Sequence, residues 1–223
     1  MFVIQMKKLL KELQFHSPFR HNFFPKYGYN FTVPQLCFLC ESLTETREIP
    51  GSVVEIGCHN GATTVLFNRL MDDLGMHKDY YAIDTFSGFT REDVDFEVKH
   101  RGKRGDLFAG AFEVNSKRWF DGTMEQNHIT RVQSIQADIN HFDMSTHAPY
   151  SFVLLDVDLY KPTKKVLAEL YAAMSPGGII IVDDCDEADM RWDGADQAYK
   201  EFAAEIGQPI RIVHQKLGVL NKQ

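Results

Sequence analysis

Apolar residues recur along this chain in short unbroken runs that end in acids or glycine. Ser52-Val53-Val54-Glu55-Ile56, Tyr80-Tyr81-Ala82-Ile83, Arg131 to Ile135, Phe152-Val153-Leu154-Leu155 and Ile179-Ile180-Ile181-Val182 predict five strands. Runs of this length without strict alternation are the pattern of strands covered on both faces. Segments with helical spacing lie between them: Ala62 to about Leu74, a crossover helix beginning near Pro162, and a helix capped by Asp193 that runs to Ile206. Ile210 to His214 and Gly218 to Leu220 predict a closing antiparallel strand pair. The alternation predicts an α/β fold, a doubly wound, Rossmann-like and mostly parallel sheet.

Two stretches depart from this rhythm. Residues 1–50 form an N-terminal extension with a helix over Met1 to Gln14, an aromatic stretch from Phe15 to Phe31, and a second helix from Pro34 to Arg47 with Thr32 as its N-cap. Phe19, Phe23, Phe24, Tyr27, Tyr29 and Phe31 can wall an acceptor pocket, pack onto a second copy in a homodimer, or pack onto the domain itself. The other departure, Thr85 to Thr130, is too long for a plain strand–helix–strand step. Long loops in compact domains are usually functional or mobile, so about 86–110 is expected to be a lid, with a helix from Ala111 to Gln126 beneath it, the alternative being a surface insertion without a role. Residues 51–223 then form the main domain.

At 223 residues the chain is long enough for one full core, and a net charge of −7 disfavours nucleic acid as a partner. One basic run, Lys99-His100-Arg101-Gly102-Lys103-Arg104, reads as a solvated loop. Cys37, Cys40, Cys58 and Cys185 lack the spacing of a zinc site or a disulfide scaffold. With neither a signal-peptide pattern nor a transmembrane run, a cytoplasmic location away from membranes is expected.

The chemistry gathers at the strand ends. The strand Ser151 to Leu155 finishes in Asp156-Val157-Asp158, and Ile179 to Val182 finishes in Asp183-Asp184. Strands joined by a crossover helix lie parallel, so these acids converge at one carboxyl edge, where open α/β sheets bind ligands. Carboxylates that close must protonate or share a cation, which points to a divalent metal. Asp186, Glu187 and Asp189 read as solvated continuation of the run. The first strand runs into Glu55-Ile56-Gly57-Cys58-His59-Asn60-Gly61, a glycine turn that lets a cofactor approach the backbone closely. It is not the G-x-G-x-x-G pyrophosphate fingerprint. Asp84, at the end of strand two, is placed for ribose hydroxyls, and Asp138, after strand three, for an adenine amino group.

These blocks carry a resemblance. Val53 to Gly61 resembles the first motif of class I S-adenosylmethionine-dependent methyltransferases. Asp84-Thr85-Phe86-Ser87-Gly88-Phe89 is similar to the D-[ST]-F-x-G segment of the macrocin O-methyltransferase family. Leu155 to Thr163, Ser175 to Asp184 and Gly194 to Phe202 resemble further blocks of that family. The resemblance implies methyl transfer from S-adenosylmethionine to a small-molecule hydroxyl, often on a natural-product sugar, aided by Mg2+. It implies Glu55, Gly57, Gly61, Asp84, Thr85, Phe86 and Asp138 at the cofactor and, with the strand geometry, Asp156, Asp183 and Asp184 at the metal. Asp158 is the candidate base, although Asp156 and Asp158 can exchange or share roles.

Other readings compete. Leu159 stands where catechol-type methyltransferases carry a lysine, which weighs against a phenol acceptor. Metal-dependent phosphatases and glycosyltransferases also use D-x-D after an apolar strand. The first would want its nucleophile on strand one, and the second leaves Glu55, Gly57 and Asp84 without a task. A non-enzymatic binding protein on this scaffold would have little use for so many intact acids.

Overall fold

Strands rich in Val, Ile and Phe bury both faces only if helices cover both, and the chain does this. The computed structural model describes residues 2–24, 26–186 and 188–223. Its sheet comprises β1 (Ser52–Ile56), β2 (Tyr80–Asp84), β3 (Val132–Gln136), β4 (Tyr150–Leu155), β5 (Met174–Val182), β6 (Ile212–Val213) and β7 (Leu217–Asn221), in the order β3-β2-β1-β4-β5-β7-β6. The first five strands are parallel to one another, and β7 runs antiparallel to both β5 and β6. The order reverses between β1 and β4, so the crevice above their carboxyl ends is the switch point where ligands bind.

Side chains alternate between two layers. Val53, Phe152, Leu154 and Ile181 pack with α2 (Val33–Glu45), α3 (Ala62–Asp73) and α5 (Lys117–Gln126). Val54, Ile56, Leu155 and Val182 pack with α6 (Tyr160–Ala173) and α7 (Asp193–Glu205). This alternation is the two-residue period of a strand buried on both sides.

The chain divides into two compact units, Met1–Asn30 and Phe31–Gln223. The first holds α1 (Phe2–His16) and a short 3-10 turn at Arg20–Phe23. Met1, where the first helix was expected to begin, and Glu187, in the acidic run, lie outside the described residues. Within this unit Phe15 meets Phe24 edge-on, and Tyr27 meets Tyr29. Ile4, Leu9, Leu10 and Leu13 of α1 are exposed. Among the described residues, no helix is long and apolar enough to cross a membrane.

Three expectations change. The stretch expected as a polar loop contains a helix, α4 (Arg91–Arg101). Thr90 caps its start by accepting from the Asp93 N–H at 3.1 Å, and Gly102 ends it in a left-handed conformation. The helix expected from Ala111 begins only at Lys117, because the Ser116 hydroxyl caps it by accepting from the Trp119 N–H at 3.2 Å. Asp193 is the first residue of α7 rather than its cap, which is Trp192.

Candidate active site

The β1–α3 turn and the end of β4 touch backbone to backbone. Gly57 has φ +85°, and a Cβ built on it would lie 1.7 Å from the Asp156 carbonyl oxygen, so no side chain fits. The Gly57 N–H donates to Ile83 O and the Asp156 N–H to Ile56 O, both at 2.8 Å. Gly61, with φ +86°, opens α3 beside Met124 and Phe120. Asp84 ties this turn to the next: Oδ2 accepts from the His59 N–H at 2.8 Å and Oδ1 from the Phe86 N–H at 2.7 Å. Thr85 donates to Gly88 O at 2.6 Å. Phe86 is buried against Phe120 and takes a positive φ of 52°.

Glu55 turns inward. Its carboxylate is buried and accepts from the hydroxyls of Thr63, Thr64 and Tyr80. Burial raises its pKa against those three hydrogen bonds. It therefore braces the turn from beneath. Asp138 forms a tight turn, accepting from the Asn140 N–H at 2.9 Å, and the Asn140 side-chain amide bridges it to Asp93 on α4.

Across Gly57 stands the acid cluster. One oxygen from each of Asp156, Asp158 and Asp184 lies within 4.8 Å of the others. Asp158 and Asp184 both sit in the left-handed region, at φ 61° and 59°. Such backbone is uncommon outside glycine and clusters at functional sites. Burial, then the neighbouring acids, holds Asp156 and Asp158 well above the carboxylate range.

Asp183 is engaged differently. It is 1% exposed, and its Oδ2 accepts from Lys216 Nζ at 2.8 Å. Asp183 and Asp184 lie just beyond β5, and Asp184, in the left-handed region, joins Asp156 and Asp158 in the cluster. Burial, then Asp184, pushes the Asp183 carboxyl up to about 7, with Lys216 opposing. Asp183 Oδ1 has no hydrogen-bond partner among the described residues. An all-oxygen acid set with an orphaned buried oxygen beside it fits a hard divalent cation. Lys216 was not singled out from the sequence. The antiparallel register that pairs Val182 with Gly218 brings it to Asp184.

The 85–116 segment packs over this edge. Asn115 donates to His59 O at 2.8 Å, and Phe112 meets the His59 ring edge-on at 5.4 Å. Phe89, Phe108 and Phe112 gather on Trp192, just before α7. The basic run is not wholly solvated. The Arg101 and Lys103 side chains are 10% and 9% exposed; Arg101 pairs with Glu97 and Asp193, and Lys103 with Asp193. Glu97 also accepts from the Tyr160 N–H at 2.8 Å, two residues beyond Asp158.

A family model described as Macrocin-O-methyltransferase (TylF) matches residues 35–220. No curated protein matches the chain. Among solved structures, the O-methyltransferase NovP aligns with a TM-score of 0.71 at 15% identity, over 89% of this chain and 83% of its own. CalS11, a calicheamicin methyltransferase, aligns at 0.69 and 20% identity, over 98% of this chain and 91% of its own. Its apo form, described as a TDP-rhamnose 3'-O-methyltransferase, aligns at 0.60 and 18% identity, over 98% and 93%. At these identities the structural likenesses carry the fold, while the family match spans the glycine turn, Asp84 and all four strand-end acids. The chain belongs to the macrocin O-methyltransferase family and is an S-adenosylmethionine-dependent O-methyltransferase.

Proposed function

We propose that the chain methylates a hydroxyl on the sugar of a natural product or its activated precursor, with a divalent cation such as Mg2+ at the acid cluster. The observation that carries this reading is the contact of Gly57 with the Asp156 carbonyl, which makes donor turn and acid cluster one structure. The sugar is supported by the description of CalS11 as a TDP-rhamnose 3'-O-methyltransferase.

Gly57 and Gly61 leave room for the donor, Asp84 receives the ribose hydroxyls, Thr85 and Phe86 shape the adjoining wall, and Asp138 faces the adenine. Glu55 holds the turn in place. Asp156 and Asp184 hold the cation with Asp158 beside them, and Asp183 stands behind on Lys216. When bound, S-adenosylmethionine presents a sulfonium methyl for in-line displacement, and the cation stabilises charge developing on the acceptor oxygen. Asp158 receives the hydroxyl proton. Asp156 can exchange or share this role. Phe112 and Asn115, resting on His59, make the second half of the insertion a cover that keeps water from the donor. The N-terminal extension serves acceptor choice and self-association, with the exposed apolar face of α1 meeting a second copy.

The test incubates the chain with methyl-labelled S-adenosylmethionine and a panel of TDP-deoxysugars, glycosylated macrolides and simple phenols, with Mg2+ or with chelator. Label on a sugar hydroxyl that requires Mg2+ is expected. Label confined to phenols overturns the acceptor class, and undiminished transfer in chelator overturns the cation.

A further inference from the structure

The acid cluster has a cation of its own. Lys216, in the turn before β7, lies 2.8 Å from Asp183 Oδ2 and 3.5 Å from Asp184 Oδ1, and its ammonium sits over the Phe31 ring at 4.7 Å. Its side chain is 16% exposed, and its backbone carbonyl accepts from the Cys185 N–H at 2.7 Å. The turn is thus held to the end of β5 by main chain and side chain together. Asp183 and Asp184 both pair with this ammonium, and Asp156 and Asp158 lie within its field. Asp183 is engaged through one oxygen while the other has no partner among the described residues.

We infer that Lys216 is a positioning residue, the resident counter-ion of the metal-free site, which claims Asp183 and competes with a divalent cation for the cluster. The inference rests on the reading that a divalent cation binds these acids. Two consequences of removing the ammonium run in opposite directions. Asp183 becomes a buried carboxylate without a partner, which destabilises the metal-free fold. The same removal lifts the repulsion on an incoming dication and frees Asp183, which strengthens metal binding. A lysine that only packed the turn would weaken both or change neither, so the opposed signs separate the two roles.

The experiment is calorimetric titration of Mg2+, paralleled by thermal melts in chelator and in Mg2+, on wild type, Lys216→Met, Lys216→Arg, Asp183→Asn and the Lys216→Met/Asp183→Asn double variant. Lys216→Met is expected to melt lower than wild type in chelator and to bind Mg2+ roughly ten- to a hundredfold more tightly, from one unit charge removed close to the ligands. Its melting point should rise more on adding Mg2+ than that of wild type. Lys216→Arg should keep both properties close to wild type, and Asp183→Asn should restore metal-free melting in the Lys216→Met background. Should Lys216→Met fail to fold without metal, the double variant measured against Asp183→Asn carries the same comparison, with tighter Mg2+ binding expected. Unchanged or weaker Mg2+ binding on loss of the lysine, while wild type binds, overturns the inference alone. Wild type that binds no Mg2+ overturns the cation reading and the inference with it.

Discussion

Replacing Gly57 with alanine tests whether donor turn and acid cluster are mechanically one. The added Cβ would lie 1.7 Å from Asp156 O and 2.6 Å from its carbonyl carbon. Real Cβ atoms stay beyond 3.0 Å, so the two backbones must part by about 1.3 Å. Holding a non-glycine residue at φ +85° costs about 1–2 kcal/mol. Forcing apart packed backbone adds about 1–3 kcal/mol. The sum, about 2–5 kcal/mol, lowers the melting temperature of a domain this size by roughly 4–20 °C. Gly61→Ala is the control. It shares the left-handed strain at φ +86°, but its Cβ meets the flexible end of Met124 at 2.7 Å and the Phe120 ring at 3.0 Å. Gly57→Ala should therefore melt lower than Gly61→Ala and lose affinity for both S-adenosylhomocysteine and Mg2+, because Asp156 is displaced. Gly61→Ala should weaken the nucleoside alone. Scanning calorimetry and two titrations read all of this. Gly57→Ala that binds Mg2+ like wild type would refute the coupling.

Three further outcomes follow from the same geometry. Asp84→Asn should weaken S-adenosylhomocysteine binding by about 10- to 100-fold, the loss of charge-assisted hydrogen bonds, in calorimetry at constant Mg2+; unchanged affinity would remove Asp84 from the donor site. Asp183 carries a pKa of about 7 when folded against an ordinary 3.8, so the fold retains a proton that the unfolded chain has released. Its contribution to stability is complete below about pH 3.8 and disappears as pH rises through about 7. Melting in chelator should reveal that decline and Mg2+ should flatten it; a metal-free profile flat over this window would contradict the buried-acid picture. Arg101→Met removes the ion-pair partner of Glu97, 1% exposed, while Asp193 keeps Lys103, and should cost about 3–5 kcal/mol in denaturant titration, whereas Arg104→Met, whose partner Asp106 is exposed, should leave melting unchanged.

Much of this fold was legible because β1, β4 and β5 are apolar runs ending in polar residues. The run gives the strand, and its end gives the edge where chemistry collects. Asp84, Gly57 and the acids fall where that logic put them along the chain. Side-chain direction was harder to read. Asp183 and Asp184 look equivalent in sequence, yet Lys216 holds Asp183 at 2.8 Å while Asp184 also joins Asp156 and Asp158. Glu55 reads as a strand-end acid but is consumed by three hydroxyls that the fold brings over it. Helix α4 was missed because its buried face is acidic, with Asp93 and Glu97 turned inward, so it lacks an apolar period. Thr90, Asp93 and Gly102 were the start and stop signals available. The basic run appeared solvated because Asp193, which buries it, lies 92 residues from Arg101 and 90 from Lys103. Tertiary pairing over such separations leaves no local pattern.

The most direct test of the central claim is calorimetric titration of S-adenosylmethionine and S-adenosylhomocysteine, with and without Mg2+, on wild type and Asp84→Ala. Binding by wild type that is lost in the variant, together with a separate Mg2+ isotherm abolished by Asp156→Asn, is the predicted result. Failure of wild type to bind either nucleoside in either condition would contradict the account.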